Sequence, residues 1–264
     1  METFCINIFG RIVPMYGIMI SAGIIIAGAV GYKLVIREGL SEDDFFILSG
    51  IVLLFGMFGA KLLYLIINWK EIEWGKILEW NYIQQLLGGG FVFYGGLIGG
   101  ILGLVLVNQI SDINVMNYVK TAIPCLPIAH GFGRIGCFFA GCCYGIPYDG
   151  PFCVDYQAPT LAPVGISLFP VQLLEAIADF LIAVIIIDLI VKKGQGMFGI
   201  YLYLTSYVII RFLLENFRGD SERGRWLLFS TSQWISLGIG CIIGGFCLFK
   251  IYKKRRREKW ELHH

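Results

Sequence analysis

Seven ionisable residues fall inside stretches that are otherwise hydrocarbon-like: Lys61, Arg134, Glu175, Asp179, Asp188, Arg211 and Glu215. Asp188 lies near the end of its stretch and can reach water, but the others need a physical reason. On insertion scales a mid-membrane cation is about 2.5–3.5 kcal/mol uphill, so Lys61, Arg134 and Arg211 together require roughly 7–10 kcal/mol of compensation. Mutual pairing is one solution. Glu215 is one helical turn from Arg211, and Glu175 or Asp179 can face Lys61 or Arg134. Anion binding is the other. A guanidinium fork matches phosphate bidentately, and glycines let backbone approach a ligand closely. The cations toward one end of these stretches outnumber the carboxylates that tight pairing would use, and Arg218, Arg223 and Arg225 add to them. At that depth the expected anion is a lipid phosphate.

The densest signal is PIAHGFGRIGCFFAGCCYG, Pro127 to Gly145. Gly131, Gly133, Gly136, Gly141 and Gly145 exceed what helix packing needs, although small-residue contacts between helices would use two or three of them. His130 and Arg134 are four apart and Cys137 three further on, so one helical face offers a base, a cation and a thiol. The cysteines have three further readings: small buried hydrophobes, a thiolate favoured by Arg134 or His130, and a disulfide from Cys142 or Cys143 to Cys153 in an oxidising exterior. HGFGRIGCFFAGCC matches no zinc-ligand spacing, so no metal is expected. No cofactor is expected either.

The elements that must hold these groups follow from composition. Of 264 residues, 57% are hydrophobic and only 15% charged, with a mean hydropathy of +0.73. A soluble domain carries about 25% charged residues, and this balance also excludes disorder, collagen and a secreted disulfide scaffold. Net charge +2 gives no sign of a nucleic-acid partner. Apolar runs near the length needed to cross hydrocarbon predict an all-α, polytopic membrane protein, a single transmembrane domain over 1–264. Its seven transmembrane helices are expected at roughly 12–36, 45–68, 90–110, 118–145, 170–191, 197–217 and 232–252. Sided by the KKRRR tail, the inner segments hold twelve Lys and Arg and the outer segments six. The N-terminus is therefore expected outside and the C-terminus in the cytoplasm. The first run lacks a small-residue cleavage site and is read as a retained span. The 70–87 stretch mixes Trp74, Trp80, Leu86 and Leu87 with charges, as an outer interfacial amphipathic arm would. The 146–169 stretch, with four prolines and no Lys or Arg, reads as a small irregular outer cap. No internal repeat is visible, which weighs against a transporter built on inverted halves.

Several pieces, taken in order, resemble the bacterial prolipoprotein diacylglyceryl transferases. They are MYG (Met15 to Gly17), YGGLIGG (Tyr94 to Gly100), GRIGCFFAGCCYG (Gly133 to Gly145), FPVQLLE (Phe169 to Glu175), RFLLENFR (Arg211 to Arg218) and SQWIS (Ser232 to Ser236). The resemblance implies transfer of the diacylglyceryl group from phosphatidylglycerol to the lipobox cysteine of a prolipoprotein, as a thioether, with release of glycerol 1-phosphate. It implies a multi-pass protein of the bacterial cytoplasmic membrane whose partners are phosphatidylglycerol, the prolipoprotein lipobox segment and membrane lipids. Arg134 matches the signature arginine, Arg211 that of the sixth span, Glu215 and Arg218 its acidic and basic companions, and Tyr16 the first-span tyrosine. Gln172 and Glu175 match the polar pair opening the fifth span, and Gly95, Gly96, Gly133 and Gly136 the motif glycines. The chain departs from the pattern at Lys61, where an arginine is expected, and at Tyr94, where a histidine opens the third-span motif. Cys137 and Cys142 replace the signature's asparagine and glutamate, and Phe169 replaces a histidine. His130 then becomes the candidate general base and Tyr94 a hydrogen-bond donor. Arg134, Arg211, Glu215, His130 and Tyr94 are thus the expected catalytic residues. Tyr16, Lys61, Gly95, Gly96, Gly133, Gly136, Cys137, Cys142, Gln172, Glu175 and Arg218 are expected to bind substrate. Two other readings remain, the same lipid donor with a different acceptor and a seven-helix receptor or transporter that is no enzyme.

Overall fold

The computed structural model describes residues 4–8, 10–157, 160–220, 225–226, 229–230, 233–234, 236–238, 240–241 and 245. The seventh expected span and the basic tail lie mostly outside the described residues, as does Arg223. The chain divides into two compact units, one made of Met1–Gly31 with Ala122–His264 and the other of Tyr32–Thr121.

A hairpin of β1 (Cys5–Ile8) and β2 (Arg11–Pro14) leads into α1 (Met15–Arg37). Its turn passes through Gly10 at φ 79°, a conformation only glycine adopts without cost. The expected first span thus begins as a strand and becomes helical at Met15, just after Pro14. In the 32–121 unit, α2 (Glu42–Ile67) opens on Ser41, whose side chain accepts from the Asp44 N–H at 3.3 Å, and Glu42, Asp43 and Asp44 place negative charge at the positive end of the helix. Next come a 3₁₀ turn at Trp74–Lys76, α3 (Trp80–Gly88) and α4 (Phe93–Ile110). The 70–87 stretch is therefore a turn and a short helix, with Leu78 and Trp80 among its exposed apolar side chains.

α2 and α4 meet along glycines. A Cβ on Gly59 would strike the Gly95 carbonyl, one on Gly99 the Phe55 carbonyl, and one on Gly103 would come within 3.0 Å of Ile51 and Phe55. Bare glycines at 95, 99 and 103 allow this backbone-to-backbone approach, which in a membrane replaces the missing hydrophobic drive between helices.

The expected fourth span is not one helix. α5 (Val115–Ala122) ends before Pro124, and α6 (Cys125–Ala140) begins after it, because proline offers no N–H and disfavours a helical residue before it. α6 stops at Gly141 (φ 67°, ψ 15°), whose N–H reaches the carbonyls of Cys137 and Phe138. Residues 141–145 thus leave the helix. They enter an irregular region that contains β3 (Val154–Asp155) paired with β4 (Ser167–Leu168). α7 (Val171–Lys193) and α8 (Gly196–Leu214) follow, then a 3₁₀ turn at Glu215–Phe217 and a two-residue pair, β5 (Arg225–Trp226) with β6 (Phe229–Ser230).

The chain is mostly helical. Among the described residues four helical stretches are long and apolar enough to cross a membrane: Met15–Arg37, Glu42–Ile67, Phe93–Ile110 and Gly196–Phe217. A fifth arises if Val115–Ala122 and Cys125–Ala140 count as one broken span. α7 has 23 residues, ample for a crossing, but it carries Glu175, Asp179 and Asp188. The first two of these are buried.

Candidate active site

Three helices of the unit formed by residues 1–31 and 122–264 carry polar residues at helical spacing. α6 presents His130, Arg134 and Cys137; α7 presents Gln172, Glu175 and Asp179; α8 presents Tyr203, Tyr207 and Arg211, with Glu215 in the turn beyond. Intervals of three and four residues keep each set on one face. α7 packs against both α6 and α8, so the three stripes converge.

Arg134 is the hub. Its Nη2 lies 3.0 Å from Glu175 Oε1, and its Nε–H donates to His130 Nε2 at 3.3 Å. His130 Nδ1 lies 2.9 Å from Asp179 Oδ2. An imidazolium has no lone pair with which to accept from Arg134, so this arrangement calls for neutral His130 with its proton on Nδ1, toward Asp179. The Tyr207 ring lies tilted beside His130, ring centroids 5.5 Å apart, and Tyr203 is buried.

Arg211 and Glu215 are buried and paired at 2.7 Å. Arg211 is also coupled electrostatically to Glu175, Arg218 and Arg134. Arg218 grips Asp220 with two parallel N–H donors, Nε and Nη2, each at 2.9 Å. Each of the three arginines therefore has a carboxylate, and Asp220 is the partner that the expected excess of cation did not count. These pairs solve the solvation problem, since a buried guanidinium without a counter-ion would be costly. An arriving phosphate must share the arginines with these carboxylates.

The backbone beyond α6 holds the helix ends together. Residues 144–148 are hydrogen-bonded on both sides: the Ile146 N–H donates to Phe217 O at 3.0 Å and the Gly219 N–H to Tyr144 O at 2.9 Å, while the Phe169 N–H donates to Ile146 O at 3.0 Å and the Tyr148 N–H to Ser167 O at 2.9 Å. The approach is so close that a Cβ on Gly145 would strike the Phe169 carbonyl. Gln172 donates from Nε2 to Cys142 O at 3.0 Å, and the Tyr156 hydroxyl donates to Phe138 O at 2.9 Å. Burial pushes the Tyr156 hydroxyl up to about 12.

Of the residues expected at the site, this unit brings together His130, Arg134, Cys137, Cys142, Gln172, Glu175, Arg211, Glu215 and Arg218. Tyr16 packs on Gly136, where a Cβ would lie 3.1 Å from its ring, and Gly133 opens onto free space. Tyr94, Gly95, Gly96 and Lys61 belong to the 32–121 unit. Gly95 and Gly96 there face α2, toward the carbonyls of Gly59 and Gly56. Lys61 donates to the carbonyls of Leu86 and Gly89, with its ammonium over the rings of Tyr64 and Phe91 at 4.8 and 5.1 Å. Among the described residues its charge is solvated by protein backbone and aromatic faces, not by a carboxylate. Asp179, Asp220, Tyr203 and Tyr207 were not assigned to the site from sequence, although the four-residue spacing of 203, 207 and 211 was there to be read.

Residues 4–251 match the family described as prolipoprotein diacylglyceryl transferase. A relative from Clostridium perfringens (strain 13 / Type A), named phosphatidylglycerol–prolipoprotein diacylglyceryl transferase 2, is 36% identical over 253 residues, 96% of each chain. A phosphatidylglycerol–prolipoprotein diacylglyceryl transferase of Clostridium tetani (strain Massachusetts / E88) is 35% identical over 97% of this chain and 100% of its own. That of Clostridioides difficile (strain 630) is 30% identical over 98% of each.

Proposed function

The chain belongs to the prolipoprotein diacylglyceryl transferase family, and from that premise we propose that it moves the diacylglyceryl group of phosphatidylglycerol onto the lipobox cysteine of a prolipoprotein. The observation that carries this reading is the cluster of a half-buried Arg134 with the buried Arg211 and Arg218, each paired with a carboxylate, and of His130 beside Arg134 with Asp179 as its carboxylate neighbour.

The chemistry is a displacement at carbon. The acceptor sulfur forms a bond to the terminal glyceryl carbon of the diacylglyceryl group, the bond from that carbon to the phosphate oxygen breaks, and glycerol 1-phosphate leaves. Negative charge grows on the departing phosphate, where Arg134 and Arg211 stabilise it more in the transition state than in the ground state. A phosphate that engages Arg134 draws Nε away from His130, which leaves the Nε2 lone pair to take the thiol proton. Asp179, next to Nδ1, holds the ring and its tautomer, as the third member of a nucleophile–base–orienter set does. Glu215 fixes Arg211 and Asp220 fixes Arg218. Tyr94 is a hydrogen-bond donor, as its motif position implies.

The protein works as a seven-span protein of the bacterial cytoplasmic membrane, N-terminus outside and C-terminus in the cytoplasm, within the lipid that supplies its donor. Residues 70–87, with Trp74, Leu78, Trp80 and Leu87 exposed, form the outer interfacial arm, and 146–169 the outer cap. The decisive experiment incubates the purified protein with phosphatidylglycerol and a lipobox peptide and weighs the peptide by mass spectrometry. Gain of one diacylglyceryl group on the cysteine is expected. Phosphatidylglycerol consumed with the peptide unchanged would shift the reading to another acceptor.

A further inference from the structure

The sulfurs of Cys137, Cys142 and Cys143 all lie within 4.8 Å of one another, each on a partly buried residue. Local sequence alone would not gather them. Continued as a helix through 143, the chain would spread the three thiols around its axis, because five and six residues advance the side chain by about 140° and 240°. Two left-handed residues prevent this. Gly141 ends α6, and the Cys142 N–H then returns to Cys137 O at 3.1 Å. Cys143 takes φ 58°, a backbone conformation that residues bearing a Cβ adopt only when their surroundings enforce it. The enforcement is visible: Thr160 lies against Gly141, Gln172 holds the Cys142 carbonyl and Tyr156 holds that of Phe138. The positive charges of Arg134 and Arg218 both act on Cys143, and that of Arg134 on Cys137 as well.

We propose that Cys137, Cys142 and Cys143 form a three-sulfur site for a thiophilic d10 cation, Cu(I) or Zn(II). Soft thiolates select these ions over hard ones. Sulfurs about 2.3 Å from a central ion stand roughly 3.8–4.0 Å apart, which rotation of the side chains reaches from the present spacing. A disulfide would use two of the sulfurs and leave one over; an ion uses all three. No imidazole or carboxylate joins the cluster among the described residues, so Cu(I) finds a complete trigonal set and Zn(II) keeps a fourth position for water. Binding exchanges three thiol protons for one cation, with no change of oxidation state. The negative charge that remains sits beside Arg134 and Arg218. The bound ion clasps the last turn of α6 to the segment that enters the cap, and its presence does not depend on the transfer reaction.

The test uses the full-length protein in detergent, reduced without oxygen, loaded separately with Cu(I) and with Zn(II), desalted, and measured for metal per chain. One ion per chain is expected, with thiolate-to-copper charge-transfer absorption for Cu(I) and only sulfur neighbours besides water in X-ray absorption. Cys137→Ser, Cys142→Ser and Cys143→Ser should each weaken retention at least tenfold, while Cys153→Ser and Cys5→Ser retain it. Because a cysteine variant can misfold, the wild-type X-ray absorption spectrum provides a second, independent check. Failure of the reduced wild type to retain an ion, retention by the triple serine variant, or nitrogen ligands in the spectrum would each overturn the site.

Discussion

At the scale of single residues, the site is a set of shared charges in which Arg134 has the most to lose. Arg134→Lys keeps a positive charge but cannot serve Glu175, His130 and a phosphate at once from a planar fork. Transfer should fall at least 100-fold, in the range seen when a single charge-stabilising donor is lost, while detergent-solubilised protein still elutes as a folded species. Wild-type turnover would place Arg134 outside the reaction. His130→Gln should leave phosphatidylglycerol binding nearly unchanged and slow transfer by roughly 100-fold or more. Asp179→Asn should alter the pH profile of the rate more than KM, because it acts through the ring of His130. An unchanged rate and profile in His130→Gln would leave the histidine a packing residue. Arg211→Ala and Glu215→Ala should be non-additive, the double variant being little worse than the worse single one; full additivity would separate them. The members of this set were legible because helical spacing puts 130 with 134 and 211 with 215. The choice of partner was not. Glu175 and Asp179 were equally available to Lys61 and Arg134 on spacing alone, and only the packing of α7 against α6 assigns one to Arg134 and the other to His130. Lys61 found backbone carbonyls, a solution that no side-chain pattern announces.

At the scale of elements, the ends of α6, α7 and α8 are held by the strand-like segment 144–148 and by Tyr156. The Tyr156 hydroxyl donates a hydrogen bond to the Phe138 carbonyl, and burial raises its pKa from 10.0 to about 12. A group so shifted contributes stability fully below pH 10, and the contribution fades as pH rises toward 12. Wild-type protein should therefore lose thermal stability across that window and Tyr156→Phe should lose less, having lost about 1 kcal/mol at neutral pH already. Identical curves for the two proteins would show that the hydroxyl is idle. The α2–α4 contact makes a second test. Gly99→Val sets a branched side chain against the Phe55 carbonyl, a case of overpacking that ordinarily costs about 1–3 kcal/mol, whereas Ile98→Val changes an exposed position and should be neutral. Long elements were readable from hydropathy. The break at Pro124 and the left-handed stop at Gly141 were written in the sequence as a proline and a glycine, but each lay inside an apolar run whose continuity masked it. The hairpin before α1 was hidden for the same reason, since its alternating apolar residues merge with the helix that follows.

At the scale of the whole molecule, the proposed orientation makes Cys5 and Cys153, both exposed thiols, outward-facing. A membrane-impermeant maleimide applied to intact cells should label both, and labelling only after permeabilisation would invert the topology. Charge bias along the chain is the ground for this proposed orientation, whereas the division into units of 1–31 with 122–264 and of 32–121 leaves no mark in composition, since both halves are equally apolar. Among the residues assigned to chemistry, those whose contacts are most clearly electrostatic belong to the first unit; the second is knit by glycine. That seam has a consequence for how substitution tolerance reads along the chain. If every position were replaced in turn and cells were selected for survival, Gly59, Gly95, Gly99 and Gly103 would refuse larger side chains as firmly as Arg134 refuses lysine, while their neighbours Ile98, Ile101 and Leu102, exposed on α4, would accept almost any oily replacement. A map of intolerance would then show two hot regions of equal intensity, one recording chemistry and the other recording only how near two backbones must come.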